Sequence, residues 1–196
     1  MKLIKENSYD IVRLIINQVG ISIFALVLYT SLGFVGENSE ELEFGLRTVF
    51  SLFSIFFYWA LIYTMMWETG AKDQIRIDGG KLEDVKGKGA ILSAAANLPN
   101  AFLALITVLC IVVYLFTGVE GFFTAFGLIN FAMRFLGAMY IGAISFVCKS
   151  ISSELGVYSY LIESIFYLIL PLLSIGVCHI GYSFGKRNFK IFGSKK

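Results

Sequence analysis

The chain has 196 residues, of which 57% are hydrophobic and only 15% charged, against about 25% charged in ordinary soluble domains. With a mean hydropathy of +0.77 it is too poor in polar residues to cover the surface of a soluble globule, and it has no room for a separate soluble domain. The net charge of +2 says little as a total; the placement of the charges along the chain is informative.

The basic start, MKLIKENSYD, precedes a first apolar segment at about 11–35. That run is too long for a signal-peptide core and lacks a small-x-small cleavage pattern, so it is expected to be a retained span. Arg13 lies at its start, where a long side chain reaches the interface. An acidic stretch follows, with Glu37, Glu40, Glu41 and Glu43. The second segment, about 46–67, is rich in Phe and carries Tyr58, Trp59, Tyr63 and Trp67 towards its end, as a headgroup-level aromatic belt would. Residues 68–89 are polar and are expected to form a loop, with a turn at Asp78-Gly79-Gly80 and a short extended stretch at Ile75-Arg76-Ile77. The third segment, about 90–116, holds Asn97, Pro99 and Asn100. Proline removes a backbone donor and kinks a helix, so the segment is expected to enter the bilayer proper near Pro99. The fourth, about 122–147, contains Arg134. The fifth, about 158–184, has Pro171 near its centre, and residues 185–196 form a basic tail with Lys186, Arg187, Lys190, Lys195 and Lys196. No internal repeat is visible.

Lys and Arg near span ends set orientation. The N-terminus has Lys2, Lys5 and Arg13, and the 68–89 stretch has Lys72, Arg76, Lys81, Lys86 and Lys88. The connection between the first two segments has only Arg47. The N-terminus and the 68–89 stretch are therefore expected in the cytoplasm, with the acidic loop outside. Five full crossings would then leave the basic tail outside, whereas four would bring it inside. An arginine at the centre of a lipid-facing helix costs from ~3 kcal/mol upward, so the segment around Arg134 is the one expected to cross incompletely. The fold expected is an all-α integral membrane protein. It would be a bundle of four full transmembrane helices plus one re-entrant or interfacial segment, or a fifth transmembrane segment. In either form Gly127, Asn130, Arg134, Gly137, Ile141 and Ser145 would line one helical stripe of small and polar residues.

Five polar residues are candidates for an intramembrane site: Asn97, Asn100, Asn130, Arg134 and Glu163. Arg134 either binds an anionic headgroup or substrate, or forms a structural ion pair with Glu163 or Glu154. Asn97 and Asn100 flank Pro99, where they either satisfy freed backbone groups or line a polar cavity. Asn17 and Gln18 suit hydrogen bonding between helices. His179, the single histidine, has no chemical partner one turn away and fits a structural role near the inner interface. The cysteines Cys110, Cys148 and Cys178 have no metal-type spacing and read as small buried hydrophobes. The basic segments 81–88 and 186–196 suit contact with anionic lipid at about 1 kcal/mol per residue, which orientation alone would also produce.

Neither HExxH nor GxSxG occurs, and the Gly-Lys pairs lack the spacing of a phosphate loop. No metal or cofactor is expected, and no nucleic-acid partner. In its layout, and in the stretches WETGAKDQIRIDGGK, RFLGAMYIG and GYSFGKRNF, the chain resembles small polytopic membrane proteins of Gram-positive bacteria to which no activity is assigned. The resemblance transfers no functional residue. The expected function is that of a non-enzymatic subunit or accessory protein of the bacterial cell membrane, alone as a homo-oligomer or within a larger membrane complex. The alternative is a transporter or channel component with a polar path through Asn97, Asn100, Asn130 and Arg134. An intramembrane lipid-acting enzyme is a more distant option, with Arg134, Glu163 and His179 as its only suppliers of chemistry.

Overall fold

A computed structural model describes residues 2–33, 40–151 and 156–188. Residues 34–39, with Glu37 of the acidic stretch, Glu154 and the tail lysines 190, 195 and 196 lie outside the described residues, whereas Glu40, Glu41 and Glu43 belong to a helix rather than to a loop. The described chain is an all-α bundle. Its elements are α1 (Lys2–Glu6), α2 (Ser8–Gly33), α3 (Glu40–Asp78), α4 (Lys88–Thr117), α5 (Glu120–Leu136), a single 3-10 turn (Ala138–Tyr140), α6 (Ile141–Ile151) and α7 (Tyr158–Lys186). Four of them, α2, α3, α4 and α7, are long and apolar enough to cross a membrane.

α3 departs from the sequence expectation. It runs unbroken for 39 residues, about 58 Å at 1.5 Å per residue, nearly twice the hydrocarbon thickness. The polar run from Glu68 to Asp78 is its continuation rather than a loop, and Ile75-Arg76-Ile77 is helical rather than extended. The helix stops at the Gly79-Gly80 turn. Gly80 takes φ +67°, and the Lys81 N–H donates to the Arg76 carbonyl at 2.9 Å, the bonding of a Schellman cap.

The fourth apolar segment is also not one helix. α5 and the helix after it are bent by 87° at Gly137. The stripe from Gly127 to Ser145 is therefore broken: Ile141 and Ser145 belong to α6, on a different axis. Within α5, Gly127 is exposed and Asn130 buried.

The contacts divide the chain into two compact units. Unit 1 comprises Met1–Asn17, Trp59–Asn97 and Leu172–Lys196; unit 2 comprises Gln18–Tyr58 and Leu98–Pro171. The four long helices contribute to both. In unit 1, Leu14, Ile62, Met66, Leu92 and Cys178 form the core. There α3 and α7 meet backbone to backbone. A Cβ on Gly181 would stand 2.7 Å from the Tyr63 carbonyl oxygen, and one on Gly185 would collide with the Trp67 carbonyl. Such small-residue contacts let apolar helices associate where no hydrophobic effect drives them together.

In unit 2 the core holds Ala104, Ile111, Phe126, Met133, Met139 and Tyr167. The bend lies among residues that replace its missing helical hydrogen bonds. Ser22 Oγ donates to the Leu136 carbonyl at 2.5 Å, and Ser51 Oγ to the Met139 carbonyl at 2.5 Å. The Ala143 N–H donates to Ser51 Oγ at 3.1 Å and the Gly142 N–H to the Tyr29 hydroxyl at 3.2 Å. Broken backbone at membrane depth is tolerated only where protein groups satisfy it in this way.

Candidate functional site

Arg134 occupies the last turn of α5, and Glu163 lies on α7. The structure brings them together as a bidentate pair. Arg134 Nε donates to Glu163 Oε1 and Nη2 to Oε2, each at 2.7 Å. The fork is the strong geometry for guanidinium and carboxylate. The pair is unequal in exposure: the Arg134 side chain is 46% exposed and that of Glu163 only 11%. Around the same helices an aromatic cluster closes, with the Tyr160 ring 5.5 Å from Phe126 and 6.0 Å from Phe123, and Phe123 5.0 Å from Tyr114.

Asn130, one turn before Arg134, is buried and its Oδ1 has no hydrogen-bond partner. Tyr167, one turn after Glu163, is likewise buried with an unpartnered hydroxyl. Tyr167 also lines a small cavity with Gln18, Asn100, Met133, Gly137, Tyr140 and Pro171. The cavity offers about 10 Å³ to the centre of a water molecule, the size needed to hold one. A Cβ on Gly137 would fall 2.8 Å from the Tyr167 ring, so glycine at the bend is what admits that ring. Four of the five candidate residues, Asn100, Asn130, Arg134 and Glu163, thus belong to unit 2.

Asn97 belongs to unit 1. Its amide donates to the Ser93 carbonyl at 2.9 Å, within its own helix. Pro99 frees the carbonyl four residues back, that of Ala95, so Asn97 does not serve the group that proline leaves open. Asn17 in unit 1 reaches the Met65 sulfur at 3.6 Å. His179 is exposed on α7. Among the described residues no group of His, Cys, Asp and Glu is arranged to hold a metal ion.

Unit 1 contains a polar cluster that the sequence reading missed. Lys88 Nζ and Asp73 Oδ2 are 2.7 Å apart, with both side chains 4% exposed. The Tyr182 hydroxyl donates to the same carboxylate oxygen at 3.0 Å. Asp73 comes from the extension of α3, Lys88 from the first residue of α4 and Tyr182 from α7. Lys88, counted as one of the basic residues of a loop, is instead an internal charge. The available signal was the Gly79-Gly80 turn between Asp73 and Lys88, which folds the chain back on itself once the Glu68–Asp78 run is taken as helix.

No protein-family model matches the chain, and no curated protein or solved structure is detectably similar to it.

Proposed function

We propose that the chain is a non-enzymatic subunit of the cell membrane, which packs against a second copy or a larger membrane partner through the outer face of α7. The supporting observation is that Leu172, Leu173, Gly176, His179 and Ile180 are all exposed. Gly176 has open space where a side chain would be. His179 lies about 10 Å along the axis from Lys186, the last residue of α7, on the exposed side of an apolar helix, where its imidazole calls for a hydrogen-bond partner. A glycine that permits close approach beside a polar side chain that needs a partner is the pairing used between transmembrane helices.

Both termini are cytoplasmic in this reading, since Lys72, Arg76, Lys81 and Lys86 still outweigh the lone Arg47 after Lys88 is set aside. The test is oxidative crosslinking in native membranes of a Gly176→Cys variant on a background without Cys110, Cys148 and Cys178. The expected result is a crosslinked dimer or a discrete heavier complex. A monomer in mild detergent with no crosslinked product in membranes would overturn the proposal. Single cysteines placed at 149–157 and in the tail, labelled from each side, test the orientation; a 149–157 label from the inside together with a tail label from the outside refutes four full crossings.

A second reading, a transporter or channel component, draws on Asn100 lining a cavity together with Gln18. It requires that one-water cavity to widen, and it requires Arg134 to leave Glu163. For a lipid-acting enzyme, the mutual neutralisation of Arg134 and Glu163 ties up the acid–base capacity that the chemistry would need.

A further inference from the structure

In unit 1 a cleft of about 470 Å³ opens between the α3–α4 connection and the end of α7. Its walls include Gln74, Lys86, Gly87, Tyr182, Lys186 and Arg187, and it holds one carboxylate, Asp84. Lys186 Nζ is 2.6 Å from Asp84 Oδ1. That pair leaves Lys86 and Arg187, both exposed, as two cations facing a shared space without a carboxylate of their own in the cleft. Gly87, at φ +75°, turns the chain into the 30-residue helix α4, whose N-terminal end carries partial positive charge. The local field in this cleft is therefore positive from three sources: two side chains and a helix end. The walls also supply the Ser183 hydroxyl, while the Tyr182 hydroxyl is given to Asp73 and the Gln74 amide to Asp78.

The position of the cleft selects its occupant. Lys186 ends α7, an apolar helix of spanning length, so the cleft lies where a span gives way to polar surroundings, the level of lipid headgroups. We propose that it binds the phosphate headgroup of an anionic phospholipid, with Lys86 and Arg187 as the charged ligands and Lys186, held in place by Asp84, completing the wall. Arginine meets phosphate oxygens with its fork and lysine as a point charge. A positive-inside bias spreads charge along the chain. Here it gathers Lys86 and Arg187, from opposite halves of the chain, into one concave space.

The experiment uses the full chain in nanodiscs of mixed phosphatidylcholine and phosphatidylglycerol. Lipid retained after gentle release is counted by native mass spectrometry. The wild type is expected to keep one phosphatidylglycerol in preference to phosphatidylcholine, and a Lys86→Gln/Arg187→Gln variant to lose that preference several-fold. The charge-conserving Lys86→Arg/Arg187→Lys variant is expected to keep it, which separates a binding loss from a folding loss. Lys81→Gln, which removes a cation from a neighbouring cleft, is expected to leave it intact. Equal retention by the wild type and the double Gln variant overturns the proposal. So does an equal loss in Lys81→Gln, which would mean a diffuse field. So does displacement of the lipid by millimolar inorganic phosphate alone, which would mean a soluble phosphate site.

Discussion

Replacing Lys88 by Met tests the buried cluster of unit 1 most directly. In the native chain the Asp73 carboxylate is met by the Lys88 ammonium at 2.7 Å and the Tyr182 hydroxyl at 3.0 Å. With Lys88 gone, one neutral hydroxyl is left facing a charge whose side chain is only 4% exposed. Breaking a buried pair from one side costs about 3–5 kcal/mol, because the other charge stays buried and uncompensated. At about 1.4 kcal/mol per tenfold, that is roughly two to four powers of ten in the opening equilibrium of this unit. Asp73→Asn leaves Lys88 stranded in the same way and is expected to cost a similar amount. The Asp73→Asn/Lys88→Met double variant strands nothing and is expected to be more stable than either single variant. Cys178 supplies the assay: it is 1% exposed and belongs to the same unit. With Cys110 and Cys148 replaced by Ser, the rate of thiol labelling at Cys178 in detergent reports opening of unit 1. Both single variants should label much faster than the parent and the double variant less so. Labelling of Lys88→Met at the parental rate would refute the reasoning. So would a double variant whose loss equals the sum of the singles, since additivity means no coupling.

The unequal burial of Arg134 and Glu163 predicts an asymmetry. Arg134→Met leaves a carboxylate 11% exposed and should cost about 3 kcal/mol. Glu163→Gln leaves an arginine 46% exposed that can turn outward, and should cost clearly less; thermal unfolding in detergent that ranks the two the other way would contradict the pair geometry. Ser51→Ala orphans two backbone groups of the bend and should destabilise by about 1–3 kcal/mol. Ser54→Ala removes only a bond within its own helix and should change little in the same measurement. Gly181→Leu should disrupt unit 1, where a Cβ already falls 2.7 Å from the Tyr63 carbonyl. Gly176→Ala meets open space within its own chain and should leave the melting temperature of the dissociated monomer unchanged or slightly raised through helix propensity, while reducing crosslinking through the α7 face in membranes, where the missing side chain permits close approach.

Hydropathy located the long helices because it reports composition, and apolar residues, many of them exposed, dominate these helices. The same property hid the extension of α3. Charged residues after Trp67 signal water, and water permits helix and loop alike, so the decision rested on the cap at Gly80 rather than on polarity. The pairing of Arg134 with Glu163 was within reach of the sequence because so few charges interrupt the apolar segments, leaving few candidates. The triad of Asp73, Lys88 and Tyr182 was not, because it depends on where α3 ends. The bend at Gly137 was hidden for a different reason. Nothing between Phe122 and Val147 breaks a helix outright. What holds the break open are Ser22, Tyr29, Ser51 and Tyr167, from three other helices.

That break changes what Arg134 means. In an unbroken apolar segment the arginine would lie near mid-span, where its charge is most costly. The bend instead makes it a residue of the last turn of α5. There the helix end carries partial negative charge that favours a cation, Glu163 supplies the opposite full charge, and almost half of the side chain stays exposed. Each of the three lowers the cost, and the first exists only because the helix stops at Leu136. The four hydrogen bonds from Ser22, Ser51 and Tyr29 to the bend therefore do two things: they satisfy the broken backbone, and they fix the helix end that accommodates the arginine. A bend fixed by bonds from two separate long helices is part of the rigid frame of unit 2. By this reasoning Arg134 contributes to the fold through its place in that frame, and variants at Ser51 should weaken the Arg134–Glu163 pair without touching either residue.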